Sequence, residues 1–175
     1  MLTVQQIIES SRAYSPGIVE RARSVNVRKM QAVERKDDDG DKYREVKAVC
    51  IGDTKPRLVE FRFYGPRTRK AEIWVSCPCE WFLYHCEVAT KRKGSTDIIF
   101  SNGARPKITN PNSIPAICKH ALSALMAGAM ALHAKPMREP PKKAKVKPTK
   151  KAKPTVKQGK APPKTGKGSG KILGR

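Results

Sequence analysis

Cys77-Pro78-Cys79, answered by Cys118-Lys119-His120, limits what this chain can fold into more than any other feature. Four soft donors arrive as two tight pairs separated by a long insert. Structural zinc takes four thiolate or imidazole ligands in a tetrahedron, all of them from protein. Two ligands two residues apart, at a strand end or turn, can both face one metal, and a second pair closes the tetrahedron. The chain holds five Cys and three His, so four of the eight candidates fall in this pattern. The competing reading makes Cys77, Cys79 and Cys118 small buried apolar side chains and His120 an ordinary helix residue.

C-x-C followed at variable distance by C-x-H is the ligand pattern of SWIM-type zinc fingers, and residues 70–134 resemble that family. The resemblance implies a β-hairpin leading into the C-x-C and a helix after it, with the C-x-H opening a second helix. It also implies DNA-binding or protein-interaction roles. The insert is longer than in many members. Its segments from Ser95 to Gly103 and from Asn110 to Pro115 resemble, in style, SWIM-like proteins encoded by large bacteriophages. With three thiolates and one neutral imidazole, a single Zn²⁺ would be structural, because such a site leaves no position for water. Lys119, Lys70 and Arg69 are placed to offset its net charge of −1.

Charge divides the chain. Of the net +22, residues 135–175 supply +14, with 15 Lys or Arg against the single acid Glu139, and residues 1–134 supply +8. Such a block favours a polyanion: nucleic acid first, an acidic protein or anionic membrane second. The tail holds half of the 14 prolines and no aromatic residue. It cannot bury enough apolar surface to offset its ordering entropy, so a disordered tail is expected. It resembles the lysine-, alanine- and proline-rich tails of linker histones, with Lys142, Lys143, Lys145, Lys150, Lys151 and Lys153 as its densest cations. Lys164 to Lys171 superficially suggests a phosphate loop, but Ala161 stands where the first Gly is needed and no strand precedes it.

The N-terminus lacks a basic start and a long apolar stretch, so it does not read as a secretory signal. No apolar run is long enough to span a membrane. The expected location is intracellular, in cytoplasm or nucleoid, or in a virion, where five Cys read as reduced thiols and metal ligands.

Local patterns predict an α+β domain over residues 1–134. Thr3 caps a helix over 3–13, with Val4, Ile7 and Ile8 on one face. Ser15-Pro16 starts a second helix ending near Ser24, with Ile18, Val19 and Ala22 inward. Four strand-like runs follow, at 25–35, 43–51, 58–64 and 71–76, with a polar turn at 37–41 between the first two. Short connections make the sheet an antiparallel meander. Residues 80–91 read as a helix, 94–116 as a loop or small hairpin, and 116–134 as a long helix rich in Ala, Leu and Met.

Other candidates are weaker. Cys86 and His85 fall inside the 80–91 helix, which carries Cys86 away from the C-x-C turn, and Cys50 reads as strand core. His133 falls near the end of the last helix, where a cation is favoured. No acid is placed to orient a Cys86–His nucleophile pair, which counts against an enzyme. Arg62, Arg67, Arg69, Lys70, Lys91, Arg92 and Lys93, with Trp74 and Trp81, can form a phosphate-contacting and stacking patch or can be an ordinary charged surface. No side-chain set suggests base reading, so low sequence specificity is expected. The sequence thus reads as a non-catalytic, zinc-stabilised nucleic-acid binder, with DNA ahead of RNA and no small-molecule substrate. The alternative is a structural or assembly protein, such as a bacteriophage virion component, whose zinc domain docks on protein partners and whose tail contacts protein or packaged DNA.

Overall fold

The computed structural model describes residues 1–52 and 55–133. The expectation of a disordered tail at 135–175, with its six named lysines, lies outside them.

The elements run in the order β1 (Leu2–Thr3), α1 (Val4–Tyr14), α2 (Ile18–Arg23), β2 (Asn26–Lys36), β3 (Lys42–Ile51), β4 (Pro56–Tyr64) and β5 (Glu72–Ser76). A π-helical turn (Phe82–Cys86) then leads into α3 (Glu87–Lys91), and α4 (Lys119–Met126) closes the chain as described. The fold is α+β. Among the described residues five strands form one antiparallel sheet in the order β1-β5-β4-β3-β2. The strand added to the expected four is β1, two residues long and too short to carry an alternating pattern.

Side-chain alternation sets the sheet's two faces. On the covered face β3 offers Val46, Ala48 and Cys50, β4 offers Val59, Phe61 and Phe63, and β5 offers Ile73 and Val75, all buried. Phe61 and Phe63 stack two residues apart at 5.5 Å. Each buried phenylalanine contributes on the order of 1.5–3 kcal/mol. The β2–β3 turn is closed by Asp37, whose carboxylate accepts from Asp41 N at 2.8 Å. Gly40 takes φ +89° there, a conformation that a side chain would strain.

On the open face, β5 is covered. Trp74 and Ser76 are both buried. Arg62 lies over the indole at 4.2 Å, and Asp97 of the insert accepts the indole N–H at 3.1 Å. The insert also finishes the sheet edge that β1 leaves open, since Val75 N donates to Ser95 O at 2.9 Å.

The N-terminal helices confirm one capping signal and correct the other. Thr3 Oγ1 accepts from Gln6 N at 3.2 Å, and Gln6 Oε1 accepts from Thr3 N at 2.9 Å, which makes a capping box. In α2 the N-cap is Gly17 rather than Ser15, with no side-chain cap bond. The Ser15 hydroxyl instead accepts from the Arg21 guanidinium. Ile18 and Ala22 point inward as expected, while Val19 is half-buried.

The last helix is the largest correction. Residues 116–134 do not form one helix, because α4 covers only Lys119–Met126. At its start Cys118 is an extended N-cap with φ −76° and ψ 170°, whose Sγ accepts from Ala121 N at 3.5 Å. At its end Gly128 adopts φ +99°. Gly128 N bonds Leu125 O at 3.2 Å and Ala129 N bonds Ala124 O at 3.0 Å, the paired bonds of a Schellman stop. Gly128 therefore terminates the helix that composition alone extends through it. Leu122 and Leu125 are buried on α4, but Met126 is 49% exposed. No helix among the described residues is long and apolar enough to cross a membrane.

Candidate metal centre

The two ligand pairs sit at two helix starts. Cys77 and Cys79 follow β5 at the head of the π turn and α3, and Cys118 and His120 open α4. Helix starts leave backbone N–H groups unpaired and carry partial positive charge, so both suit a thiolate. Phe82 N donates to Cys79 Sγ at 3.4 Å and Ala121 N to Cys118 Sγ at 3.5 Å.

Each pair is held by residues far away in sequence. Arg57 on β4 donates to Pro78 O at 3.2 Å, fixing the C-x-C turn. The run into Cys118 is kept extended by Ser10 Oγ donating to Pro115 O at 2.6 Å and Ile117 N donating to Ser11 Oγ at 2.9 Å. Thr90 Oγ1 adds a third tie, to Ala116 O at 3.2 Å. Helices α1 and α3 thus clamp the second pair in place.

The four donor atoms lie within 4.8 Å of one another, and all four residues are buried. Bonds of 2.0–2.3 Å from a tetrahedral zinc put its ligands about 3.5–3.8 Å apart, so small adjustments close the group round one ion. His120 Nδ1 is buried without a hydrogen-bond partner, a cost that coordination or a hydrogen bond would remove. The donor set, three thiols and an imidazole, fits a structural metal site. Zinc would be held by Cys77, Cys79, Cys118 and His120 and would cross-link the two helix starts.

The thiols hold their protons unequally. Hydrogen bonds from Cys118 and then Cys77 keep Cys79 well below the usual thiol range. Burial, followed by hydrogen bonds with Cys77 and Cys79, pushes Cys118 up. Cys77 is raised as well, because the lowering effect of Cys118 is outweighed by its hydrogen bond with Cys79 and by burial. A metal must displace protons from Cys77 and Cys118, so its affinity rises with pH.

Cys86 and Cys50 stand outside the cluster, as expected. Cys86 is buried, with its thiol pushed up chiefly by burial. Burial also pushes the Cys50 thiol up to about 11, and it donates to His120 O at 3.5 Å. His133 does not lie on the last helix. Its Nδ1 meets Arg67 Nη1.

Of the cations named from the sequence, Arg67, Lys91 and Arg92 have separate local partners. Arg67 pairs with Glu34 of β2 at 4.0 Å and Lys91 with Asp97 at 2.7 Å. Arg92 donates to Ser113 Oγ at 3.4 Å. Arg69 lines a cleft formed with α1, α2 and α4, and Lys70 and Lys93 are exposed. Trp74 is closed over by Arg62 and the insert, and Trp81 stacks on His85 at 5.0 Å. Beside the metal group lies a cavity of about 280 Å³ lined by Arg21 and Lys119 as well as by Cys79, Cys118 and His120, and Arg57 holds the Pro78 carbonyl between the first two cysteines.

Sequence reasoning missed Gly52, Arg57 and Glu87. A Cβ on Gly52 would stand 2.8 Å from His120 Nε2, closer than real contacts allow. The Gly52 φ is not in the left-handed region, so alanine is penalised there by the ring alone. Gly52→Ala is expected to tilt the imidazole and weaken metal affinity by about tenfold or more, the usual scale for a residue that orients a ligand. Competition with a chromophoric chelator checks this. An unchanged affinity would show that the ring is not held by that contact. A glycine at a strand end is a faint signal, legible only once the strand is known to pass His120.

No protein-family model, curated protein or solved structure matches this chain.

Proposed function

We propose that the chain is a non-catalytic nucleic-acid-binding protein, with low sequence specificity, whose domain is held together by one zinc ion in a SWIM-like site. The buried Cys77, Cys79, Cys118 and His120 group carries this reading. Four protein donors complete a zinc tetrahedron and leave no open position for substrate or activated water, which argues for a structural ion. With the fold cross-linked in this way, the function falls to the surface and the tail. The +14 of residues 135–175 supplies long-range attraction to phosphate, with DNA as the first candidate. Arg67, Arg69, Lys70, Lys91, Arg92 and Lys93 supply further cations on the domain itself.

A second reading has an observation of its own. Ile99, Phe100, Ile108 and Tyr84 are exposed large apolar side chains around the insert, which favours docking on a protein as part of an assembly such as a virion.

DNA binding across a salt series separates the two, comparing the full chain with a form ending at Ala134 and measuring zinc in both. The nucleic-acid reading expects both forms to bind duplex. The full chain should lose about 0.9 log units of affinity per log unit of salt for every phosphate it neutralises, and the shorter form should show a shallower slope. A shorter form that keeps zinc but ignores DNA would sink the nucleic-acid role of the domain and put the docking reading first.

A further inference from the structure

A cleft of about 380 Å³ lies between α1, α2 and α4, within the size range of ligand pockets. Its walls are aliphatic, with Val19, Leu125, Met126 and Met130 among them. Arg12, Arg23 and Arg69 also line it, and no acidic residue does among the described residues. None of these three guanidinium groups forms a salt bridge among the described residues. Met126 is half exposed at the cleft, on the one helix that also carries the second ligand pair.

Apolar walls beside three cations that have no acidic partner among the described residues define what can fill the cleft. The occupant must bring aliphatic surface and negative charge together. A phosphodiester backbone brings the charge but has nothing to cover Met126. A second copy of this chain, at net +22, or its own +14 tail would bring more cations to three arginines. We propose that this cleft docks an acidic amphipathic segment of a partner protein. Aliphatic residues on one face of the segment enter between α1, α2 and α4, and flanking carboxylates pair with Arg12, Arg23 and Arg69. This is the helix-in-groove mode, with fork-shaped cations selecting carboxylates at the rim. It does not rest on the nucleic-acid reading: Arg69 is the one cation the two share, and neither the zinc group nor the tail lysines enter the argument.

The test uses the full, zinc-loaded chain and a short fluorescent peptide with leucines along one helical face and glutamates flanking them, read by anisotropy. Two comparison peptides replace the glutamates by lysines or the leucines by serines. Two variants, Met126→Glu and the combined Arg12→Gln, Arg23→Gln and Arg69→Gln, change exposed positions, and zinc content and circular dichroism confirm their folding. The glutamate–leucine peptide should bind the native chain, and each variant should weaken it about tenfold or more. Both comparison peptides should bind far less well. Equal binding of the serine peptide would reduce the effect to simple polyanion attraction and overturn the proposal. So would no binding at all, or binding unaffected by both variants. Displacement of the peptide by duplex DNA, with Met126→Glu without effect, would assign the three arginines to a nucleic-acid surface instead.

Discussion

Replacing Cys118 by serine is expected to remove the metal and, with it, cooperative folding of the C-terminal half of the domain. Serine is a good helix N-cap, so its hydroxyl can still accept from Ala121 N and α4 keeps its start. What is lost is one of four ligands. Structural zinc sites bind with an apparent free energy of about 10–16 kcal/mol at neutral pH. A domain's whole stability is about 5–15 kcal/mol, so the site's contribution is as large as the fold's margin. Without the ion the protein must also hide three buried thiols and an imidazole nitrogen that has no partner. Native mass spectrometry should find one zinc in the parent chain and none in Cys118→Ser. The variant's thermal transition, followed by circular dichroism, should be broad and shifted down by tens of degrees. Chelator treatment of the parent chain should reproduce that curve. A variant that melts with the parent, or a parent that carries no metal, would leave the cysteines as packing residues.

The reason for so large an effect lies in where the pairs attach. Cys77 and Cys79 follow the last strand of the sheet, while Cys118 and His120 begin α4. Ser10, Ser11 and Thr90 supply three hydrogen bonds to the run before Cys118. Three such bonds are worth about 3 kcal/mol together, too little to replace a cross-link of that strength.

What the sequence made legible follows from how local each signal is. The alternation of Val59, Phe61 and Phe63 is complete within one strand, and β4 buries those three side chains. Thr3 and Gln6 form a capping box inside four residues. The C-x-C and C-x-H pairs are short motifs, and they meet. The misreadings arose where backbone geometry or the partner of a side chain, neither of which composition shows, decided the outcome. Ala- and Leu-rich composition extends α4 to residue 134, but the positive φ at Gly128 and the cap at Cys118 cut it to Lys119–Met126. Ser15 looks like a cap until Arg21 takes its hydroxyl. Residues 80–91 read as an unbroken α-helix, yet Phe82–Cys86 is a π turn, with Glu87 N bonded to Phe82 O. Gly52 acquires its role only because His120, 68 positions later in the numbering, lies against it.

Glu87 is the other residue whose replacement should cost most, and nothing in its sequence context marks it. It is a fully buried carboxylate on α3, where composition would place an exposed acid. Its Oε1 accepts from Ile99 N at 3.2 Å and Phe100 N at 3.3 Å, and its Oε2 accepts from Ser101 N at 2.9 Å. Three consecutive backbone N–H groups of the insert thus converge on one side chain. The arrangement holds the apolar stretch Ile98-Ile99-Phe100 against α3 while leaving those side chains substantially exposed. Glu87→Gln keeps one oxygen, which can serve two of the three N–H groups. Its amide NH₂ then faces the third, a donor against a donor, at an expected loss of about 1–3 kcal/mol. Glu87→Ala loses all three bonds and leaves a cavity beneath the loop, so about 3–5 kcal/mol is expected. Denaturant unfolding measures both losses. Hydrogen exchange at Ile99, Phe100 and Ser101 locates them, since those three amides should lose protection before the sheet does. Zinc content should stay at one ion in Glu87→Gln, because the ligand pairs are held by Arg57, Ser10, Ser11 and Thr90 and not by the insert. If both variants unfold with the parent and the three amides stay protected, the carboxylate is not what orders the insert.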